Sequence, residues 1–141
     1  MENKWVVDYS YNYEFSFSQS DVEAFAKASG DFNPIHLDDE YAKKTIFGRT
    51  ILHGFLGGSV FSKVFGTINP GNGTIYLNQS MSFFRPMFIG KRYLATFKVL
   101  ELITAKSRAS LLTEIIDSDG NVVISGTALI QHKDIASSSK I

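Results

Sequence analysis

His53-Gly54-Phe55-Leu56-Gly57-Gly58-Ser59-Val60-Phe61-Ser62-Lys63-Val64-Phe65 is the stretch on which the architecture turns. Phe55, Leu56, Val60, Phe61, Val64 and Phe65 cover most of a helical circumference, and the polar residues among them are few and small. A helix apolar nearly all round is a buried one. Gly54, Gly57 and Gly58 weaken it by ~1 kcal/mol each relative to Ala. Packing must therefore hold it, or close backbone approach must demand glycine. Gly66 and Pro70 mark its end.

Upstream, residues 9–17 alternate, with Tyr9, Tyr11, Tyr13, Phe15 and Phe17 on one face and polar residues on the other. That period of two predicts a half-buried strand. Ser18 and Ser20 offer N-caps, Val22, Phe25 and Ala26 carry the stripe of a short helix, and Gly30 stops it. Residues 31–37 are expected to be irregular because Pro34 breaks any repeat, and Asp38 caps a second short helix through about Lys44. Downstream, residues 74–85, 92–103, 107–117 and 121–132 show alternation or β-branched enrichment, with Asp117-Ser118-Asp119-Gly120 marking a hairpin. Strands this long predict strong curvature.

A curved, antiparallel, five-stranded sheet around one long buried central helix, with short helices in an overhanging segment before it, is the simplest way to bury residues 53–65. This is a single α+β domain of the hotdog arrangement. It is expected to span residues 1–134, with 135–141, including Ser137-Ser138-Ser139, as a flexible tail. An open sheet edge makes self-association expected.

The chain has 141 residues, enough for one domain and not two. It contains no cysteine, which excludes disulfides, thiolate metal sites, iron–sulfur clusters and a cysteine nucleophile. Fourteen basic and fourteen acidic residues balance, so no global field attracts nucleic acid or an anionic membrane. Met1-Glu2-Asn3-Lys4 leads into a polar-alternating stretch rather than an apolar signal, and no window nears the ~20 apolar residues of a membrane span. The expected location is the cytoplasm.

Chemistry concentrates in Gly30-Asp31-Phe32-Asn33-Pro34-Ile35-His36. Asp31 and His36 lie five positions apart across a loop stiffened by proline, so carboxylate and imidazole can meet on one water as an acid–base pair. Asn33 can hold the loop by hydrogen bonding. Plain turn chemistry fits the same spacing, with Asp31 as a cap and His36 as a buried histidine. A metal set of Asp31, His36 and Asp38 or Asp39 has no recognised ligand spacing, and no metal is expected. Gly54, at the start of the buried helix, leaves backbone N–H groups unpaired at the positive end of the dipole, where a carbonyl oxygen would be polarised. His53 is expected to have a packing or backbone-bonding role, and His132 to be an ordinary strand residue.

The Gly30–His36 motif, followed at this distance by Arg49 and His53-Gly54, resembles the MaoC-like or hydratase-2 family, in particular its short single-domain (R)-specific enoyl-CoA hydratases. The similarity continues through Gly71-Asn72-Gly73-Thr74-Ile75-Tyr76-Leu77, Phe83 to Pro86 and Gly90, and so runs through roughly residues 10–132. The resemblance implies that Asp31 and His36 bind and activate water, that the Gly54 amide holds the thioester carbonyl, and that Asn33 and Ser62 support the site. It implies hotdog homodimers with joined sheets and an acyl tunnel near the subunit boundary. Thr50, Phe55 and Lys91 depart from residues common in the family, and Phe55 could narrow the tunnel.

The implied activity is a lyase reaction, the reversible hydration of trans-2-enoyl-CoA to (R)-3-hydroxyacyl-CoA. It calls for no cofactor, since coenzyme A belongs to the substrate. An acyl-thioester hydrolase, an acyl-carrier-protein dehydratase and a non-catalytic acyl-thioester binder are the alternatives. Lys43, Lys44, Arg85, Lys91 and Arg92 are candidates for the carrier's phosphates.

Overall fold

The computed structural model describes residues 4–137. Strand β1 (Ser10–Phe15) turns its odd-numbered aromatics inward and its even-numbered polar residues out, as the alternation predicts. Helix α1 (Gln19–Ser29) begins at a capping box between Ser18 and Asp21 and ends at Gly30, whose φ of 81° suits a residue without Cβ. Pro34 does not leave residues 31–37 irregular. It starts a short helix, α2 (Pro34–Leu37), at the first helical position, where its missing N–H costs nothing, and Asn33 caps it. Asp38 then caps α3 (Asp39–Lys43).

Helix α4 (Gly54–Lys63) runs on into a π-helical turn, Val64–Ile68, so Gly66 does not stop it. Leu56, Val60, Phe61, Val64 and Phe65 are buried, but Phe55 is 65% exposed. The helix buries one broad face, and the side bearing Phe55, Ser59, Ser62 and Lys63 remains open.

That buried face lies against a sheet of β1, β2 (Ile75–Gln79), β3 (Ser82–Phe83), β4 (Tyr93–Ile103), β5 (Arg108–Ile116) and β6 (Val122–Gln131). The order is β1-β4-β5-β6-β2, with β3 also on β6, and every pairing is antiparallel. Tyr93, Ala95, Phe97 and Val99 of β4 and Ala109, Leu111 and Ile115 of β5 alternate into the core. Phe97 stacks on Tyr11 at 4.8 Å and meets Phe61 and Phe65 edge-on.

The segment predicted as one strand, 74–85, is two. Between them Ser80 and Met81 kink against Gly126 of β6, where any Cβ would collide with the Ser80 carbonyl. Thr113, fully buried, satisfies its hydroxyl by donating to the Gly126 carbonyl and accepting from the Gln79 amide. Residues 135–137 also depart from the flexible tail expected over 135–141. Lys133–Ser137 form helix α5, and Ile135 is fully buried because it closes the end of the core; the rest of that tail, 138–141, lies outside the described residues.

Gly126→Ala is expected to lower stability by about 1–3 kcal/mol, since the obstructing atom is backbone and cannot rotate away. Gly66→Ala, with open space around the new methyl, should be neutral or stabilising. Thermal unfolding of both variants checks the contrast, and an unchanged midpoint for Gly126→Ala would contradict it.

Candidate active site

The loop after α1 is built from side chains that each hold a nearby amide. Ser29 Oγ accepts from the Asp31 N–H at 3.1 Å while donating to the Phe25 carbonyl. Asp31 Oδ1 accepts from the Asn33 N–H at 3.1 Å, and Asn33 Oδ1 accepts from Ile35 N–H at 3.2 Å. These are Asx-type bonds, and they set the direction in which Asp31 presents its second oxygen. Asn33 is consumed in this work: it shapes the loop rather than facing the cleft.

His36 follows on α2. Its Nδ1 lies 2.8 Å from the Ile51 carbonyl. A carbonyl only accepts, so Nδ1 carries the proton and Nε2 keeps a lone pair. His53 makes the matching contact from the other side, its Nε2 donating to the Asp31 main-chain carbonyl at 3.0 Å. The two imidazoles stack with centroids 3.9 Å apart. Donor atoms of Asp31, His36 and His53 lie within 4.8 Å of one another. A water bonded at ~2.8 Å to each of two groups bridges such a span.

Burial pushes the His36 imidazole below its ordinary value of 6.5, and the neighbouring His53 adds to that; the Ile51 carbonyl and Asp31 act in the opposite sense. The side chain is therefore neutral near pH 7, with Nε2 available as an acceptor.

Gly54, directly after His53, is the first residue of α4, and no side chain caps that end. Its amide has no acceptor within the helix. The Phe83 ring packs over Gly54, 2.7 Å from where a Cβ would stand, so glycine alone lets ring and backbone meet there. Asp31, His36, His53 and Gly54 all border one cleft of about 730 Å³, walled chiefly by Phe25, Phe47, Phe83, Phe84, Met87 and Ile124. The structure thus brings Asp31, His36 and Gly54 to a common space. Ser62 lies elsewhere, exposed two turns along α4 and outside the cleft lining.

Of the candidate carrier-binding cations, Arg85 borders the cleft. Lys43 pairs with Glu40, Arg92 with Glu14, and Lys91 sits over the Phe88 ring beside Arg49. Sequence reasoning missed the contributions of Phe83, Met87 and the Ser29 hydroxyl. Phe83 falls in a stretch that reads as ordinary strand and Met87 in the turn after it, and only the helix glycines opposite them hint at close approach. Among the described residues no helix is long and apolar enough to cross a membrane.

A curved sheet around one helix, with a carboxylate, an imidazole and a helix N-terminus meeting in an apolar cleft, places the chain among hotdog-fold proteins. Residues 5–116 match the MaoC like domain family, and the chain belongs to that family. It is 43% identical over 115 residues to the (R)-specific enoyl-CoA hydratase of Aeromonas caviae, covering 82% of this chain and 86% of that one. It is 40% identical over 114 residues to the 3-hydroxybutyryl-CoA dehydratase of Methylorubrum extorquens, covering 81% of this chain and 72% of the relative. The solved (R)-hydratase from A. caviae superimposes with a TM-score of 0.86 at 40% identity, covering 89% of this chain and 96% of that one.

The His36 shift has a sign that can be checked. The unfolded chain takes up the proton near pH 6.5, the native state only at lower pH. Between those two values the unfolded state binds more protons, so stability rises with pH through that window and declines as pH falls below 6.5. An NMR titration should place the His36 midpoint below 6.5; a midpoint at or above it would contradict the assignment of burial as the dominant influence.

Proposed function

We propose that this protein is an (R)-specific enoyl-CoA hydratase that adds water reversibly across the double bond of a trans-2-enoyl thioester. One observation carries the reading: a carboxylate and an imidazole with donor atoms within 4.8 Å of each other border the same cleft as an uncapped helix N-terminus. Relatives bearing hydratase and dehydratase names at 40–43% identity support it.

Conjugation makes C3 of the enoyl thioester electrophilic. Water held between Asp31 and the His36 Nε2 forms the new C3–O bond and passes a proton to Nε2 as it does so. The π electrons move onto the thioester oxygen as an enolate, which accepts a hydrogen bond from the Gly54 amide at the positive end of α4. One such donor is worth ~3 kcal/mol in comparable sites. The enolate collapses by taking a proton at C2 from the Asp31–His36 pair, restoring the thioester. Each step moves protons and electron pairs between substrate, water and these groups, so the mechanism assigns no cofactor, and coenzyme A enters with the substrate. Arg85 borders the cleft, and in this reading its guanidinium meets a carrier phosphate.

The partner surface of the proposal is a second copy. β2 is a sheet edge, and Ile75, Tyr76 and Leu77 on it, with Phe55, Phe83 and Phe84 nearby, are each 36–65% exposed. Such an apolar edge invites strand pairing, and a homodimer joined there would cover it.

Asp31→Asn and His36→Gln should each lower kcat for enoyl-CoA hydration by about 10²–10⁴-fold without loss of fold; near-normal turnover in either variant sinks the proposal. Release of free thiol in place of hydration would favour a hydrolase. Sedimentation should return a dimer, and Leu77→Lys should shift it toward monomer. A wild-type monomer at assay concentration would rule the dimer out.

A further inference from the structure

His53 does something that the hydration mechanism does not require of it. It is 2% exposed. Its Nε2–H reaches the Asp31 carbonyl, its ring stacks on His36, and Phe25 packs against it at 4.7 Å. It is also the N-cap residue of α4, directly before Gly54. Its Nδ1 is buried with no hydrogen-bond partner. A buried ring nitrogen left unpartnered is a cost that an apolar ring of the same shape would avoid. Packing alone would be served by phenylalanine.

We propose that His53 is a positioning residue that holds the water-activating loop in register with the helix N-terminus, one side chain spanning the two halves of the site. The Asp31 main chain is fixed within its own loop by Ser29 on its N–H, and from α4 by His53 on its carbonyl. Gly54 is one peptide bond from His53. The Asp31 side of the activated water is thus tied to the Gly54 amide through the His53–Asp31 hydrogen bond, while His36 is tied through Ile51, and a misplacement of ~1 Å in such an arrangement costs about 10²-fold in rate. The stacked ring also sets the orientation of His36, whose Nδ1 bond to Ile51 fixes the rest.

This inference rests on the hydratase reading, and two variants separate the two claims. His53→Phe keeps the stacking and removes the donor. His53→Gln removes the imidazole but carries an amide N–H at nearly the reach of Nε2. In hydration of a short 2-enoyl-CoA, His53→Phe should keep its thermal midpoint and its KM within about threefold while kcat falls about tenfold to a hundredfold. His53→Gln should recover most of kcat. Its acidic limb should move to higher pH, because His53 no longer helps hold the His36 imidazole down; Asp31 and Arg85, the other charged groups on the cleft, are unchanged. Backbone amide spectra provide a readout independent of turnover: signals of Asp31, Phe32 and Asn33 should broaden or shift in His53→Phe and return in His53→Gln. A His53→Phe enzyme with wild-type kcat and wild-type loop signals would overturn the inference. A wild-type protein that hydrates nothing would instead overturn the hydratase reading, and the loop signals would still decide the role of His53.

Discussion

Close approach between α4 and the surfaces that cover it is the constraint from which the rest of this structure follows. Gly57 leaves room for the Met87 methyl and Gly58 for the Met81 sulfur, and a Cβ at either would collide with them. The helix pays for its glycines in propensity, and the return is a core in which Phe61 and Phe65 sit fully buried against Phe97 of the sheet. Once that face is buried, the N-terminus of α4 has a fixed place at the edge of the core. Its free amides open toward the cleft beneath the overhanging segment of α1, α2 and α3.

The overhang brings the second half of the chemistry to that point by short-range means. A capped helix, three side-chain-to-amide bonds and a proline at a helix start determine where Asp31 and His36 stand. The long-range ties are few: His36 to the Ile51 carbonyl, His53 to the Asp31 carbonyl, and the Ile51 amide to the Ile35 carbonyl. The site is therefore a junction between a locally encoded loop and a globally packed helix. A carboxylate in reach of water, a neutral imidazole and a helix dipole are differently solvated groups in one cleft, which is the arrangement acid–base chemistry on a carbonyl compound needs.

Much of this was legible in residues alone. The alternation of Tyr9 to Phe17 and the caps Ser18, Gly30 and Asp38 are local signals, and each element appeared where its signal stood. What the sequence concealed depended on contacts made elsewhere. Ser80 and Met81 break a strand because Gly126, far along the chain, admits the Ser80 carbonyl. Pro34 begins a helical turn rather than breaking one because Asn33 caps it. Ile135 looks like part of a polar tail until the end of the core it closes is known. Phe55 is as apolar as its buried neighbours in the sequence, yet it shares a face of α4 with Ser59, Ser62 and Lys63 and is exposed there. At the site, Asp31, His36 and Gly54 were legible by their chemistry, whereas the bond that ties them together runs through a main-chain carbonyl, which no residue type announces.

The central claim concerns where the oxygen of water goes, and isotopic labelling tests it most directly. Incubation of the protein with a trans-2-enoyl-CoA in ¹⁸O-enriched water, followed by mass analysis of the products, should place one heavy oxygen on the C3 hydroxyl of an (R)-3-hydroxyacyl-CoA with its thioester intact. Heavy oxygen in a free carboxylate, with coenzyme A released, would mean that the Asp31–His36 pair directs water to the thioester carbon instead and would contradict the account.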